Sequence, residues 1–276
     1  MSESLILHCP SKLNLTLEVL KKKENGMHEV KSHFQLIDLY DVMHIEKSNA
    51  QQSSIHTNAS IDIDSKKNLV YQAIEALSKH VSQELHCNII IEKNIPIGGG
   101  LGGGSSNAAA ALIGINKLFS LRLDISELMK IGLKLGADVP FFVLGKNAIA
   151  SGVGEQLSEI NSETNKFLVV SPPIHSSTRE MFQIWDKLHE QNMLQLSAED
   201  ENPFLQIFLQ KHPEVRAILK ELVVEAPFKL SGTGSTIFCA VEDDERMKKT
   251  LKKIPTKWRH FFCEPLQCSP LLKYLT

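Results

Sequence analysis

Residues 96–107 of this 276-residue chain read Pro96-Ile97-Gly98-Gly99-Gly100-Leu101-Gly102-Gly103-Gly104-Ser105-Ser106-Asn107. An apolar segment that ends near Ile91 predicts a strand before this run, and an alanine-rich segment predicts a helix from Ser105 to about Phe119 after it. A glycine loop in this position exposes backbone N–H groups, and the first turn of the helix adds its unpaired N–H groups and positive dipole end. The loop is therefore predicted to bind phosphate. The alternative, a closely packed glycine turn, is disfavoured because ordering six glycines loses much conformational entropy.

Two common phosphate loops fit this run poorly. A P-loop needs a lysine directly after its last glycine, and none is present. The spacing Gly98-x-Gly100-x-x-Gly103 satisfies the dinucleotide fingerprint, as any dense glycine run would. A dinucleotide fold continues from its helix to a parallel strand, whereas here a second helix is predicted over residues 125–135. A dinucleotide-dependent oxidoreductase is therefore the weakest alternative.

The composition is that of a globular protein without a bulk electrostatic partner. Lys and Arg number 30 against 32 Asp and Glu, which gives a net charge of −2, and 42% of the residues are hydrophobic. We therefore expect neither nucleic acid nor acidic membrane as a partner, since both need an excess of cations. No apolar run approaches the roughly 20 residues of a membrane-spanning helix, and no signal peptide is apparent. The five cysteines form no CxxC pair, which disfavours a zinc site and suits a reducing compartment.

Alternation of apolar and polar residues predicts strands in the first half of the chain, and i, i+4 spacing predicts helices. The predicted strands cover 4–20, 30–39, 42–46, 87–91, 141–144 and 148–151, and the predicted helices cover 68–85, 105–119 and 125–135. Asn68 is the expected N-cap of the first helix. Residues 48–60 are expected to form a loop or a weak hairpin. Lys21–Lys23 are expected to be solvated, and Asn25-Gly26 predicts a type I′ hairpin turn.

The second half repeats a mixed pattern after a predicted linker at residues 161–165. The predicted strands cover 167–171, 228–230, 236–241 and a segment near Phe261, and the predicted helices cover 178–191, parts of 203–224, and 243–251. A second small glycine loop occupies residues 231–235. The chain is accordingly divided into two domains, residues 1–160 and 161–276.

The glycine run and four further motifs resemble those of the GHMP kinase superfamily. The glycine run resembles the ATP-phosphate loop of that family, in a form with two glycine triplets. The other matching segments are Pro10-Ser11-Lys12-Leu13-Asn14-Leu15, Gly26-Met27-His28-Glu29, residues 135–142 with 152–155, and Ser231-Gly232-Thr233-Gly234. The resemblance spans about residues 10–234 and implies a two-domain α+β fold. The N-terminal, ATP-binding domain would be like ribosomal protein S5 domain 2, the C-terminal, substrate-side domain would be ferredoxin-like, and the active site would lie between them.

The resemblance also implies an activity. The doubled glycine form is similar to that of family members which use ATP with Mg²⁺ to phosphorylate the 2-hydroxyl group of a cytidine diphosphate ester of a branched sugar alcohol, in isoprenoid precursor biosynthesis. The alternatives are a kinase for another small alcohol, such as homoserine or mevalonate, and a non-catalytic nucleotide-binding module. Because the first motif begins at Pro10, there is no room for a transit peptide, so a bacterial cytoplasmic protein is expected, with a processed plastid form as the second option. The oligomeric state is left open.

The catalytic residues implied by the resemblance are Lys12 and Asp138. Asp138 would be the general base for the substrate hydroxyl group, and Lys12 would lie beside it and keep the carboxylate ionised. Taken without the motifs, an aspartate before a turn is more often a cap or turn former, and a lysine before a strand is more often exposed.

The ATP-binding residues are expected to be those of the glycine loop, Pro96 to Ser106. Ser105 and Ser106 are candidates for the helix N-cap and for contacts with phosphate or Mg²⁺, and Ser106 is the candidate Mg²⁺ contact. The 11 histidines show no paired ligand spacing, so no metal site formed by the protein alone is predicted.

The substrate-binding candidates also come from the resemblance. His28 matches the histidine that contacts cytosine, and Met27 stands where the family commonly has an aromatic residue. Phe182 is either the other wall of the base site or an ordinary core phenylalanine. The remaining candidates are Asn14, Thr178, Gly232 and Thr233.

Overall fold

The computed structural model describes residues 4–58, 68–161, 163–191, 193, 201–222, 227–241 and 250–275. Four predictions fall partly outside them: most of the helix predicted at 243–251, the ends of the segments predicted at 48–60 and 203–224, and one residue of the linker predicted at 161–165. Within the described residues, no helix is long and apolar enough to cross a membrane.

The first half of the chain forms a mixed sheet with helices. Its strands are β1 (Ser4–Lys22), β2 (His28–Lys47), β3 (Ser54–Thr57), β4 (Cys87–Glu92), β5 (Ala148–Ser151) and β6 (Gln156–Glu159). Its helices are α1 (Leu69–Val81), α2 (Gly103–Leu118), α3 (Ile125–Leu135) and α4 (Val139–Leu144). The order is β3-β4-β2-β5-β6, with β1 also paired to the long β2 in antiparallel register. The alanine-rich helix α2 is buried in the core between this sheet and the other helices, because small side chains permit close packing on every side.

The second half forms a smaller antiparallel sheet covered by helices. Its strands are β7 (Lys166–Ser171), β8 (Lys229–Leu230), β9 (Ile237–Val241) and β10 (Arg259–Cys263), in the order β10-β7-β9-β8. Its helices are α5 (Thr178–Glu190), α6 (Phe204–Lys211) and α7 (Pro213–Glu221). A second core lies between the sheet and these helices.

A third cluster of buried side chains joins the two halves. Leu13 of β1 and Leu101 of the glycine loop pack there with Val169 and Phe238 of the second sheet. The end of the chain also returns to the first half, where Leu266 donates a backbone hydrogen bond to Leu36 and a short 3-10 helix, Pro270–Tyr274, follows. The glycine loop is thus anchored where the two halves meet.

The β1–β2 hairpin differs from its prediction in two ways. The segments predicted at 30–39 and 42–46 form one continuous strand, β2. The connection is not a type I′ turn, because only Gly26 has positive φ, +81°, and not Asn25. Lys23 and Met27 are joined by a backbone hydrogen bond around the connection, so the loop is longer than the two residues that a type I′ hairpin requires.

Three further differences concern the loops around the site. The segment at 48–60 contains β3, which runs parallel to β4 and so makes no hairpin with it. Helix α2 begins at Gly103 with Gly102 as its N-cap, so neither Ser105 nor Ser106 is the cap. The strand predicted at 141–144 is wrong: these residues belong to α4, because Pro140 lies in the first helical turn, where its fixed φ favours a helix.

Candidate active site

Lys12 and Asp138 meet at the floor of the cleft between the two halves. Lys12 Nζ lies 3.6 Å from Asp138 Oδ2, and the side chains are 4% and 34% exposed, respectively. The lysine is therefore buried, in contrast to the exposed strand lysine that the local sequence favours. The carboxylate remains open to the cleft.

The surroundings of Lys12 hold its ammonium group in one place. Its Nζ donates to Asn14 Oδ1 and lies 5.0 Å from the centre of the Phe34 ring. Asn14 is oriented in turn by donating to Ser32 Oγ at 2.8 Å. Burial lowers the pKa of Lys12, and the neighbouring Asp138 carboxylate opposes that shift. Asn14 thus shares the face of Lys12, as alternation along β1 predicts.

The Asp138 carboxylate does not cap a helix, which is the role that the local sequence favours for it. Asp138 occupies the N-cap position of α4, but its side chain makes no capping hydrogen bond. The backbone alone starts the helix, with Pro140 in the first turn. Both carboxylate oxygens are therefore available to Lys12 and to a ligand in the cleft.

The glycine loop is fixed by backbone contacts with both halves of the molecule. Lys12 N donates to Leu101 O at 3.1 Å, and Thr236 N donates to Gly99 O at 3.1 Å. Ser231 Oγ donates to Gly100 O at 2.9 Å. A Cβ at Gly100 would lie 2.2 Å from Ser231 O, and φ there is +77°, so no other residue fits this approach. Close packing and phosphate binding are therefore compatible explanations of the glycines.

The start of α2 presents free backbone donors. The first intrahelical hydrogen bond runs from Ser106 N to Gly102 O, so the N–H groups of Gly103, Gly104 and Ser105 precede the helical hydrogen-bond ladder. These donors and the positive end of a 16-residue helix suit an anion.

The two serines differ in their access to a ligand. Ser105 lines a cavity of about 360 Å³ beside the glycine loop, which is also lined by Asn68, Lys93 and Pro96. Ser106 lies behind the loop: its side chain is fully buried, its hydroxyl has no hydrogen-bond partner among the described residues, and it lines neither cavity described here. The structure therefore gives no support to Ser106 as a direct Mg²⁺ contact.

A buried ionic network centred on Asp41 lies beside this cavity. The carboxylate of Asp41 is fully buried and pairs with Lys93. It also accepts hydrogen bonds from Asn94 N at 2.7 Å, Ile95 N at 2.9 Å and Asn107 Nδ2 at 3.0 Å. The strand before the glycine loop and the helix after it are thus joined through one carboxylate. Isolated polar residues in a strand pattern carry no sequence signal for such a network.

A larger cleft of about 710 Å³ is lined by all seven of the predicted substrate residues. Among those lining it are Lys12, Asn14, Met27, His28, Asp138, Thr178, Phe182, Gly232 and Thr233. It shares Gly100 and Gly102 with the smaller cavity, so the two cavities meet at the glycine loop. The remaining loop residues, Ile97 to Gly104, line the smaller cavity.

Aromatic rings gather at the far end of the larger cleft. The His28 ring stacks on Phe182 with centroids 4.8 Å apart and an interplanar angle of 24°, and it meets Trp185 edge to face at 5.4 Å. The ring centroid of Phe182 also lies 4.8 Å from that of Phe204 in the second core. Phe182 therefore both lines the cleft and packs against the core. A base has no room between the touching His28 and Phe182 rings. Met27 is 47% exposed on the hairpin loop above them.

The second glycine loop faces the same cleft. Thr233 Oγ1 lies 3.1 Å from Thr178 Oγ1, and Ser176 Oγ donates to Thr233 O at 2.6 Å. Gly232 has φ of +60°, and a Cβ there would lie 3.3 Å from Asn14 Oδ1. The loop therefore brings α5 and β1 together across the cleft.

Two charged residues in the cleft were not predicted. Lys22, expected to be solvated, pairs with Asp186 of α5 at 2.6 Å, and the same carboxylate lies 2.6 Å from His28 Nε2. The partners are more than 150 positions apart in the sequence, so no local pattern indicates the contact.

Known proteins resemble this chain in both halves. Residues 68–146 match the GHMP kinases N terminal domain, and residues 179–260 match the GHMP kinases C terminal domain.

Two curated relatives are called 4-diphosphocytidyl-2-C-methyl-D-erythritol kinase. That of Shewanella piezotolerans is 37% identical over 267 residues, covering 95% of this chain and 94% of the relative. That of Shewanella pealeana is 34% identical over 275 residues, covering 98% and 97%.

Solved structures agree with this fold. A 4-(cytidine 5'-diphospho)-2C-methyl-D-erythritol kinase superposes with a TM-score of 0.75 at 27% identity, covering 95% of this chain and 99% of that one. A homoserine kinase from Cytophaga hutchinsonii superposes with a TM-score of 0.69 at 15% identity, covering 97% and 96%, a likeness of fold alone.

Proposed function

Because the chain belongs to the GHMP kinase family, we propose that it transfers the γ-phosphoryl group of ATP to the 2-hydroxyl group of 4-diphosphocytidyl-2-C-methyl-D-erythritol. The products are the 2-phosphate and ADP, and the reaction belongs to isoprenoid precursor biosynthesis by the non-mevalonate pathway. The observation that supports it best is the meeting of two cavities at Gly100 and Gly102, with Lys12 and Asp138 in the larger one. That arrangement suits a nucleotide on one side of the glycine loop and an alcohol on the other.

Asp138 is assigned as the general base. Phosphoryl transfer needs the alcohol to be positioned and its proton to be accepted as the oxygen attacks phosphorus. A carboxylate that is 34% exposed and makes no capping hydrogen bond is able to accept that proton. Such a base typically contributes about 10²-fold to 10⁴-fold to the rate.

Lys12 is assigned to charge stabilisation. Its buried ammonium group, 3.6 Å from Asp138, would stabilise the negative charge that develops on the transferring phosphoryl group. The contact with Asn14 fixes the direction of the ammonium group, so Asn14 acts by orienting Lys12 as well as by facing the substrate.

ATP would be held by the glycine loop and the first turn of α2. Mg²⁺ would reach this site as an ion carried mainly by the ATP phosphates, whose oxygens are the ligands that it prefers. Ser105, whose side chain lines the nucleotide cavity, is the hydroxyl residue that would hold it. Bound Mg²⁺ would neutralise phosphate charge there.

The cytidine end of the substrate is assigned to the aromatic end of the larger cleft. His28, Phe182 and Met27 would bound the base, and Thr178, Gly232 and Thr233 would face the rest of the molecule. Because Met27 replaces an aromatic side chain, stacking from the hairpin side would be weaker than the roughly 1–3 kcal/mol that an aromatic ring provides per base in nucleic acid complexes.

The reaction is tested by measuring ADP release with the purified chain, ATP and the cytidyl substrate. Turnover is expected with this substrate, and Asp138→Asn should reduce kcat by about 10²-fold to 10⁴-fold with the melting temperature and ATP affinity retained. Undiminished kcat in Asp138→Asn would remove Asp138 from the mechanism.

A panel of alcohols separates the alternatives. Turnover with homoserine or mevalonate and none with the cytidyl substrate would overturn the assignment within the family. Tight ATP binding without turnover of any alcohol would indicate a non-catalytic nucleotide-binding module.

We further propose that the enzyme works in the bacterial cytoplasm, in keeping with its Shewanella relatives, on a small-molecule substrate and without nucleic acid. Fractionation of cells that express the full-length protein tests its location.

A further inference from the structure

A carboxylate from the second half of the chain forms a hydrogen bond with His28 at the aromatic end of the larger cleft. Asp186, on α5, accepts from His28 Nε2 through Oδ1 at 2.6 Å and from Lys22 Nζ through Oδ2 at 2.6 Å. His28 and Lys22 belong to β2 and β1, so this contact joins the two halves across the cleft. No sequence motif of the family resemblance includes Asp186 or Lys22.

The geometry determines where His28 carries a proton. An ionised carboxylate is an acceptor only, so the ring nitrogen that faces it at 2.6 Å must be the N–H donor. Burial raises the pKa of Asp186, but the hydrogen bonds from Lys22 and His28 more than offset this and leave the pKa below its usual range. The carboxylate is thus ionised at neutral pH, and Nε2 is protonated.

Lys22 and the aromatic neighbours complete the arrangement. The Lys22 ammonium group offsets the carboxylate charge of Asp186, so the carboxylate needs only an N–H donor, and no second positive charge, from His28. The stacking of Phe182 and the edge contact of Trp185 hold the plane of the ring. Nδ1 makes no hydrogen bond with any residue that the structure describes, and the ring lines the cleft.

A neutral imidazole protonated at Nε2 presents Nδ1 as an acceptor. Cytosine carries an amino group, a donor, at the position where uracil carries a carbonyl oxygen, an acceptor. An acceptor held in place therefore favours cytosine and opposes uracil, because two acceptors facing each other leave both unsatisfied.

We propose that Asp186, together with Lys22, is a positioning residue that fixes the His28 proton on Nε2, so that Nδ1 accepts a hydrogen bond from the cytosine amino group and the site discriminates against uracil. The proposal rests on the proposed function, which supplies a cytidine nucleotide as the ligand.

The first experiment compares Asp186→Asn with Glu180→Gln. Both variants remove one carboxylate charge from the same helix, but Glu180 is exposed, pairs with Lys211 at 2.6 Å and does not line the larger cleft. In the wild type, CDP is expected to bind about 10-fold more tightly than UDP by calorimetry. In Asp186→Asn this ratio should fall towards one, and the KM for the cytidyl substrate should rise about 10-fold while kcat and the KM for ATP stay unchanged. Glu180→Gln should keep every wild-type value.

The second experiment reads the proton directly. Nitrogen-15 NMR of the histidine rings in the wild type, assigned with a His28→Gln variant, is expected to show a neutral His28 protonated at Nε2. This measurement needs no turnover and no folded Asp186 variant, so it tests the proposal even if Asp186→Asn does not fold.

Two results would overturn the proposal. One is a wild-type His28 that is cationic or protonated at Nδ1. The other is an unchanged ratio of CDP to UDP affinity in a folded Asp186→Asn. Absence of turnover in the wild type would instead count against the proposed function, with CDP and UDP binding and the NMR spectrum still deciding on Asp186.

Discussion

Alanine substitutions at two glycines of the same loop are predicted to change the free energy of unfolding in opposite directions. Gly102 has φ of +72°, and a Cβ there would lie 2.7 Å from Phe142 Cζ and 3.3 Å from Lys12 Cε. Gly104 has no positive φ, and the nearest atom to its Cβ would be Leu69 Cδ1 at 3.7 Å, an ordinary contact. Gly102 is the N-cap of α2, whereas Gly104 lies inside its first turn.

The magnitudes follow from these contacts. Gly102→Ala forces a left-handed backbone conformation, at about 1–2 kcal/mol, and overpacks buried Phe142, at about 1–3 kcal/mol. The variant should therefore lose about 2–5 kcal/mol in the free energy of unfolding. Gly104→Ala should gain about 0.4–1 kcal/mol, because alanine restricts the unfolded chain and favours a helix.

Urea unfolding without nucleotide measures both values, with the unchanged m-value as the check on two-state behaviour. Gly102→Ala should also lower kcat, since its Cβ presses on the Lys12 side chain. Equal destabilisation by the two substitutions would refute the reasoning, because it would mean that the loop as a whole, and not the space around each glycine, determines the response.

Two further predictions concern buried groups. Asp41→Asn should lower the free energy of unfolding, measured in urea, by about 3–5 kcal/mol, because Lys93 then loses its charge partner in a buried setting. Adding Lys93→Met should recover part of this loss. Strictly additive effects of the two substitutions would contradict a coupled pair. In the folded protein, a thiol reagent at pH 8 should modify one cysteine, exposed Cys268, and all five after denaturation, and rapid modification of a second thiol without unfolding would contradict this. Burial raises the pKa of the other four thiols to about 12, those of Cys9, Cys87, Cys239 and Cys263.

Local signals in the sequence predicted the elements whose ends are fixed by local chemistry. Helix α3 begins and ends where predicted, at Ile125 and Leu135, because Asp124 and Glu127 form a capping box and Gly136 ends the helix. Asn68 caps α1 as expected. The two-domain α+β fold expected from the family motifs is confirmed. The strand predicted at 141–144 was wrong because Phe and Val favour strands on average, whereas Pro140 in the first helical turn and the surrounding core favour α4.

The site itself depends on contacts that no local pattern encodes. The Lys12 and Asp138 pair was expected from the resemblance alone, since their approach depends on the glycine loop, where Gly102 leaves room for both Lys12 of β1 and Phe142 of α4. Asp186 is an example of a site residue that the sequence did not predict. It lies on α5, whose charged residues have the pattern of an ordinary solvated helix face. Only the tertiary fold brings it next to His28.

The phosphate loop owes its shape to the half of the chain that does not contain it. Gly99 O accepts from Thr236 N, directly after the second glycine loop, and Gly100 O accepts from Ser231 Oγ, within that loop. Because Lys12 N in turn donates to Leu101 O, the loop lies between β1 and the second domain. If the proposed function is correct, a change in the position of the second domain would move the nucleotide site and the substrate site together, since both cavities share this loop. Backbone N–H groups at the start of α2 would then bind phosphate, so a chain of net charge −2 would need few cations for its ligands.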